Sequence, residues 1–266
     1  MTGPPSPRLH ATEQGRGRPV VLVHGFGASG RALEGLAAAL ASRARVVVPD
    51  LPGHGRSPPD ASATTLDALG AAVAALVADR GLERPVLAGW SLGAMAVLAA
   101  ARRIPDAAGL VLLSATPRFT TGDDWPHGLP PAQVEGLAAR LRIHPGKALS
   151  RFAAAFLAPG ELPDAERDAA RAALLAEPPD PATALAALAA LRDGDLREAA
   201  RRVDVPALLV HGDADAIVPA GASEALAALL PRARRELLAG VGHAPFLTRP
   251  AAVAGAVGAF LEALPA

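Results

Sequence analysis

The chain has 266 residues, 26 Lys and Arg against 26 Asp and Glu, and no cysteine. Balanced charge gives no global attraction to nucleic acid or an anionic membrane, so an acidic partner would need a local basic patch. The missing cysteine excludes disulfides, thiolate metal sites and a cysteine nucleophile.

The length fits one large domain, or one domain with an insertion. Hydrophobic residues make up 51% of the chain, enough for a sizeable core. The seven histidines are scattered with no pair at helical ligand spacing, so no metal site is expected. The opening Met1-Thr2-Gly3-Pro4-Pro5-Ser6-Pro7 has no apolar core and does not read as a signal peptide. No apolar stretch reaches membrane-spanning length without Arg, Asp or Pro intervening. A cytoplasmic protein is the expectation.

In chain order, a short strand is predicted near Leu9 to Thr12. Pro19 to Val23 is a continuous apolar run with β-branched residues, the form of a buried parallel strand. It ends in the glycine loop His24-Gly25-Phe26-Gly27. Ala32 to Ala41 reads as a helix with Leu33, Leu36 and Leu40 on one face. Arg45 to Pro49 is the next strand, followed by Asp50-Leu51-Pro52-Gly53-His54-Gly55-Arg56-Ser57. Leu66 to Asp79 reads as a helix. Val86 to Trp90 is a strand that leads through Gly89-Trp90-Ser91-Leu92-Gly93 into an Ala-rich helix, and Gly109 to Ser114 is another buried strand.

The alternation then stops. From about Phe119 to Asp195 only helical segments are predicted, cut by Pro130-Pro131, Pro145, Pro159, Pro163 and Pro178-Pro179. It resumes with a strand at Pro206 to Gly212, a helix near Ser223 to Leu230, a strand at Arg234 to Leu238 and a helix near Ala251 to Leu264. Alternating strands and helices imply a doubly wound, mostly parallel α/β sheet. The helical stretch implies a cap inserted after the strand at 109–114, over the edge where such sheets bind ligands. The expected division is a core of 1–118 and 196–266 with a cap of 119–195.

Gly-x-Ser-x-Gly between a strand and a helix is the sequence form of a tight turn that lifts a serine above the sheet edge. An ordinary turn could carry the same five residues, so the surroundings decide. A serine hydroxyl needs a base, and the base needs a carboxylate to fix its tautomer. Asp215 follows the strand ending at Gly212, and His243 follows the next strand in Gly240-Val241-Gly242-His243. The catalytic set expected is therefore Ser91, Asp215 and His243. Asp213 competes as the acid, but Ala216-Ile217-Val218-Pro219 after Asp215 favours the later residue, and Asp213 suits a turn cap. The oxyanion donors expected are the backbone N–H groups of Leu92 and Phe26. His24 is expected to brace its loop, His54 and His211 to be structural, and His10, His127 and His144 to lie on the surface or in the cap.

These motifs, in register over nearly the whole length, resemble the α/β-hydrolase superfamily. Within it the chain is most similar to the BioH-type pimeloyl-[acyl-carrier protein] methyl ester esterases of biotin biosynthesis. That likeness rests on Gly89-Trp90-Ser91, on Phe119-Thr120-Thr121-Gly122-Asp123-Asp124-Trp125-Pro126 opening the cap, and on His243-Ala244-Pro245-Phe246 with Pro250. It implies a serine carboxylesterase, with no cofactor or metal, that frees methanol from a carrier-bound dicarboxylate methyl ester through an acyl-enzyme. It also implies that Lys147, Arg151, Arg167 and Arg171 match carrier-protein contacts. Lys147 stands where an arginine is expected, keeping the charge and losing the bidentate fork. The plainer alternative is four solvated helix residues beside Glu166 and Asp168.

Phe26, Trp90 and Phe152 are candidate walls of the substrate pocket; each could instead be packing that borders it. Trp125 is expected to anchor the cap. Two other functions stay open: a short-chain esterase, lactonase or carbon–carbon bond hydrolase with the same machinery, and a non-catalytic binding protein of the same fold. The expected partners are thus an acyl-carrier protein or small esters, with no nucleic acid and no membrane.

Overall fold

A computed structural model describes residues 8–60 and 63–265. The first half comprises β1 (Ala11–Gln14), β2 (Pro19–Val23), a 3-10 turn (Gly30–Leu33), α1 (Glu34–Leu40), β3 (Arg45–Pro49), α2 (Leu66–Asp79), β4 (Val86–Trp90), α3 (Leu92–Ala101) and β5 (Gly109–Leu113). Four helices follow: α4 (Pro131–Ile143), α5 (Pro145–Ala154), α6 (Asp164–Leu174) and α7 (Pro181–Asp193). The chain closes with α8 (Arg197–Arg201), β6 (Ala207–Gly212), α9 (Ala220–Leu229), β7 (Ala233–Leu238), α10 (Pro245–Thr248) and α11 (Pro250–Ala263).

The seven strands form one sheet in the order β1-β3-β2-β4-β5-β6-β7. Only β1 is antiparallel, pairing Ala11 with Pro49; the rest are parallel. Every residue of β4, β5 and β6 is buried, as expected of central strands covered on both faces. The helices outside the α4–α7 segment fall into two groups of neighbours. α1 packs on α11, while α2, α3, α8 and α9 form a contiguous series. Gly70 of α2 lets it approach α3 closely: a Cβ there would lie 2.8 Å from Ala99 and Ala100. α3 is buried from Leu92 through Ala100, which explains why its sequence shows no polar face.

The segment that carries α4–α7 lies between β5 and β6 in the chain, and its ends are pinched together. Leu196 N–H donates to the Pro117 carbonyl at 2.8 Å, and Arg118 bridges Asp195. Trp125 is buried at this base, its indole N–H bonded to the Arg118 carbonyl and its ring under the Arg197 guanidinium. No helix among the described residues is long and apolar enough to cross a membrane.

Several expectations need adjustment. The first strand begins two residues later, where it can pair with β3. The helix foreseen over Ala32 to Ala41 begins as a 3-10 turn, and α9 starts three residues earlier because Pro219 fixes its entry. The foreseen prolines do separate the helices, with Pro159, Pro178 and Pro179 in the connections, but some of them also open the helix that follows. Pro131, Pro145 and Pro181 each occupy a first helical position, where the missing N–H costs nothing. His10, expected at the surface or in the cap, is partly buried, its Nδ1 3.2 Å from Asp50 Oδ2.

Candidate active site

Four parallel strands deliver the site. Phe26 follows β2, Ser91 follows β4, Asp215 follows β6 and His243 follows β7, all at the carboxyl edge of the sheet. Ser91 has φ 54° and ψ −116°, a conformation most side chains avoid. The two flanking glycines make it possible. A Cβ on Gly89 would lie 2.3 Å from the Gly93 carbonyl oxygen, and one on Gly93 would lie 2.2 Å from that of Val23. Strand, turn and helix therefore close to a distance that only glycine permits. Such a strained residue costs about 1–3 kcal/mol and persists because its surroundings fix it. Ser91 is 8% exposed, buried yet still within reach of solvent.

His243 Nε2 lies 2.9 Å from Ser91 Oγ, and His243 Nδ1 lies 2.7 Å from Asp215 Oδ2. The carboxylate can only accept, so Nδ1 carries the proton and Nε2 presents its lone pair to the serine hydroxyl. Asp215 Oδ1 accepts the Ile217 and Val218 N–H groups, both at 2.8 Å. Burial alone would raise the Asp215 pKa. The neighbouring His243, together with hydrogen bonds from His211 and His243, outweighs that and holds the carboxyl well below its ordinary range. Asp213 is set apart from this chain of bonds: its carboxylate accepts the Gly240 N–H at 2.7 Å and so caps the turn after β7.

Leu92 is the first residue of α3, so its N–H has no partner inside the helix and points along the positive end of the dipole. Phe26 sits in a loop braced by His24. The Leu51 N–H donates to His24 Nε2 at 2.9 Å, which leaves Nδ1–H to donate to the Gly25 carbonyl at 2.9 Å. Burial lowers the His24 pKa, consistent with a neutral bracing ring.

The remaining candidates scatter around this centre. A cavity of about 540 Å³ lies between α4, α5 and the acid loop, with Phe119, Leu137, Phe152 and Ile217 on its apolar wall and Arg140 and Arg151 beside them. Phe152 meets Phe26 edge-on at 5.5 Å. Trp90 is fully buried and its indole N–H donates to the His243 carbonyl at 2.7 Å, so it braces the base from below. Lys147 and Arg151 are exposed on α5. Arg171 is paired with Asp168 at 3.2 Å, whereas Arg167 keeps a buried Nε with no partner among the described residues.

Some neighbours of the site left no motif in the sequence. His211 Nε2–H donates to the Val218 carbonyl at 2.9 Å and lies 3.3 Å from Asp215 Oδ2, so this histidine touches the acid. Arg140 joins the cavity wall; the only trace it left was a cation near the end of a helix that also carries Val134, Leu137 and Leu141 inward.

A family model for the alpha/beta hydrolase fold matches residues 18–250. The pimeloyl-[acyl-carrier protein] methyl ester esterase of Stenotrophomonas maltophilia is 35% identical over 257 residues, covering 96% of this chain and 97% of that protein. The protein of the same name from Nitrosomonas europaea is 35% identical over 246 residues, covering 91% and 95%. Among solved structures, an esterase from Exiguobacterium antarcticum superposes with a TM-score of 0.89 at 22% identity, covering 96% of both chains, a likeness of fold. With strand order, serine turn and full-length relatives in agreement, the chain belongs to the α/β-hydrolase family.

Proposed function

We propose that the chain is a serine carboxylesterase whose nucleophile is Ser91, general base His243 and orienting acid Asp215. The reading is carried by the unbroken line of contacts from Ser91 Oγ through His243 to Asp215. His243 Nε2 takes the hydroxyl proton as Oγ bonds to the ester carbonyl carbon. The carbonyl electron pair moves to oxygen, where the Leu92 and Phe26 N–H groups receive it. Each such donor is worth about 3 kcal/mol in the transition state. The intermediate collapses, the carbon–alkoxide bond breaks, and the imidazolium returns its proton to the leaving alcohol. Water, deprotonated by His243, then attacks the acyl-enzyme. This yields the carboxylic acid and restores Ser91.

The proposed substrate is a methyl ester of a dicarboxylate chain borne on an acyl-carrier protein, pimeloyl in the first instance, with methanol leaving. The full-length relatives bearing that name support it. So does an apolar cavity flanked by cations, suited to a chain that ends in an anionic carrier. On this reading Phe26 and Phe152 border the acyl chain, and Trp90 shapes the pocket through His243. Lys147, Arg151, Arg167 and Arg171 meet the carrier, the cap comprises 119–195, and the reaction belongs in the cytoplasm. Replacing all four cations by Ala tests it. Carrier-bound ester should lose about tenfold or more in kcat/KM, with its salt dependence, while a simple aryl ester is untouched. Equal rates on both substrates before and after would refute the carrier reading and leave a general esterase.

A further inference from the structure

The loop that bears His243 is held by the cap. His243 N–H donates to the Phe156 carbonyl at 2.6 Å. The preceding Gly242 N–H donates to Glu161 Oε2 at 3.0 Å, and the same oxygen accepts the Ala158 N–H at 2.7 Å. Phe156, Ala158 and Glu161 all lie in the connection between α5 and α6. The approach is so close that a Cβ on Gly242 would stand 2.4 Å from the Phe156 oxygen and 2.8 Å from the Ala158 nitrogen. Two successive N–H groups beside the base thus find their acceptors outside the core, while Trp90 holds the His243 carbonyl from inside it.

Glu161 stands out among these contacts. The other holds on the His243 backbone come from a main-chain carbonyl and an indole. Glu161 brings a carboxylate that leaves its second oxygen, Oε1, buried with no partner among the described residues. A half-satisfied buried carboxylate is costly, and closing a local turn does not require one. The turn is already closed by Glu161 N–H donating to the Ala158 carbonyl at 3.1 Å.

We propose that Glu161 is a positioning residue that couples the seated cap to the base, fixing His243 where its ring meets Ser91 and Asp215 together. The inference rests on His243 being the general base. Its test uses the full chain and a simple aryl ester, so that carrier binding plays no part. Glu161→Ala should lower kcat about ten- to hundredfold, because small misplacements at a reacting group cost on that order. KM should stay within about twofold, since ground-state binding is not removed. Glu161→Gln should recover most of the rate, because its amide oxygen can accept the same two N–H groups.

The low-field proton resonance of His243 Nδ1–H reports the geometry directly. It should shift or broaden in Glu161→Ala and return in Glu161→Gln. If the Ala variant does not fold, Glu161→Asp decides: one methylene short of Gly242, it should lose rate at an unchanged melting temperature. An unchanged kcat with the resonance in place overturns the proposal. So does a loss of rate that only tracks loss of folded protein. A His243→Ala control separates the two levels: if it is inactive while Glu161→Ala is not, this inference fails alone. If it is fully active, the base assignment fails with it.

Discussion

Ser91 and Arg151 are both proposed to act on one substrate, yet the chain holds them by different means. Ser91 is fixed by backbone: a left-handed φ of 54°, two glycines packed against main-chain carbonyls, and a partner on its hydroxyl. Arg151 projects from an exposed position on a short amphipathic helix, and no carboxylate among the described residues lies within ion-pair distance. The core loops hold a charge pattern in place before any substrate arrives, as preorganised catalysis requires. Arg151 presents charge without tying it down, which suits steering of a partner and contributes little to stability. Changes to the residues that hold the triad should therefore act on every ester, and changes to exposed cations such as Arg151 only on some.

The sharpest division is expected at the nucleophile. Ser91→Ala should cut kcat by a factor on the order of 10⁶ on all esters alike, and Asp215→Asn by about 10⁴ through the wrong imidazole tautomer. Steady-state hydrolysis of an aryl ester measures both. Residual activity above about 10⁻² of the parent in Ser91→Ala would remove the serine mechanism and with it the contrast between the two regions.

Glycines offer a second contrast. Gly93→Ala places a Cβ 2.2 Å from a main-chain oxygen, and a clash with backbone cannot be relieved by rotating a side chain. A loss of about 3 kcal/mol or more in unfolding free energy is expected. Gly146, near the start of α5 in the cap, has no atom within 4 Å of such a Cβ. Gly146→Ala should be neutral or stabilising by up to about 1 kcal/mol, because it only lowers the entropy lost on folding. Chemical denaturation of both variants measures the difference, and a comparable loss in each would contradict it.

The same distinction explains what could be read from the sequence. Ser91, Asp215 and His243 were visible because each follows a strand and sits among residues that the backbone geometry demands: Gly89 and Gly93 for the turn, Val218-Pro219 after the acid. The sheet is legible because β4, β5 and the first four residues of β6 are continuous apolar runs. The supports of His243 are not. Phe156 acts through its carbonyl, a group every residue possesses, and Glu161 through a contact 81 positions distant in the chain. The place of Trp90 before the nucleophile makes it a pocket candidate, and nothing in the sequence shows that its indole N–H reaches the His243 carbonyl. Nothing in the sequence shows that the start of β1 brings His10 beside Asp50.

Proton-linked stability should also belong to the core. His54 is almost fully buried, with Nδ1–H given to the Pro52 carbonyl and Nε2 unpartnered among the described residues. Burial, reinforced by neighbouring His24, lowers its pKa from 6.5 to about 3. Between those values the unfolded chain binds a proton that the folded chain refuses. Stability is therefore lost as pH falls from about 6.5 towards 3, at about 1.4 kcal/mol per pH unit for one proton, and is unaffected well above pH 6.5. Burial also lowers the pKa of His24, which adds a slope of the same sign. Replacing His54→Gln keeps a donor for Pro52 and removes one titrating group, so unfolding free energy should fall less steeply with acid, by about one proton. Arginine and lysine do not titrate in this range, so the variant lacking the four cap cations should retain the parent slope. An unchanged slope in His54→Gln would mean that the ring takes up its proton in the folded protein, the attraction of Asp50 and Asp180 outweighing burial.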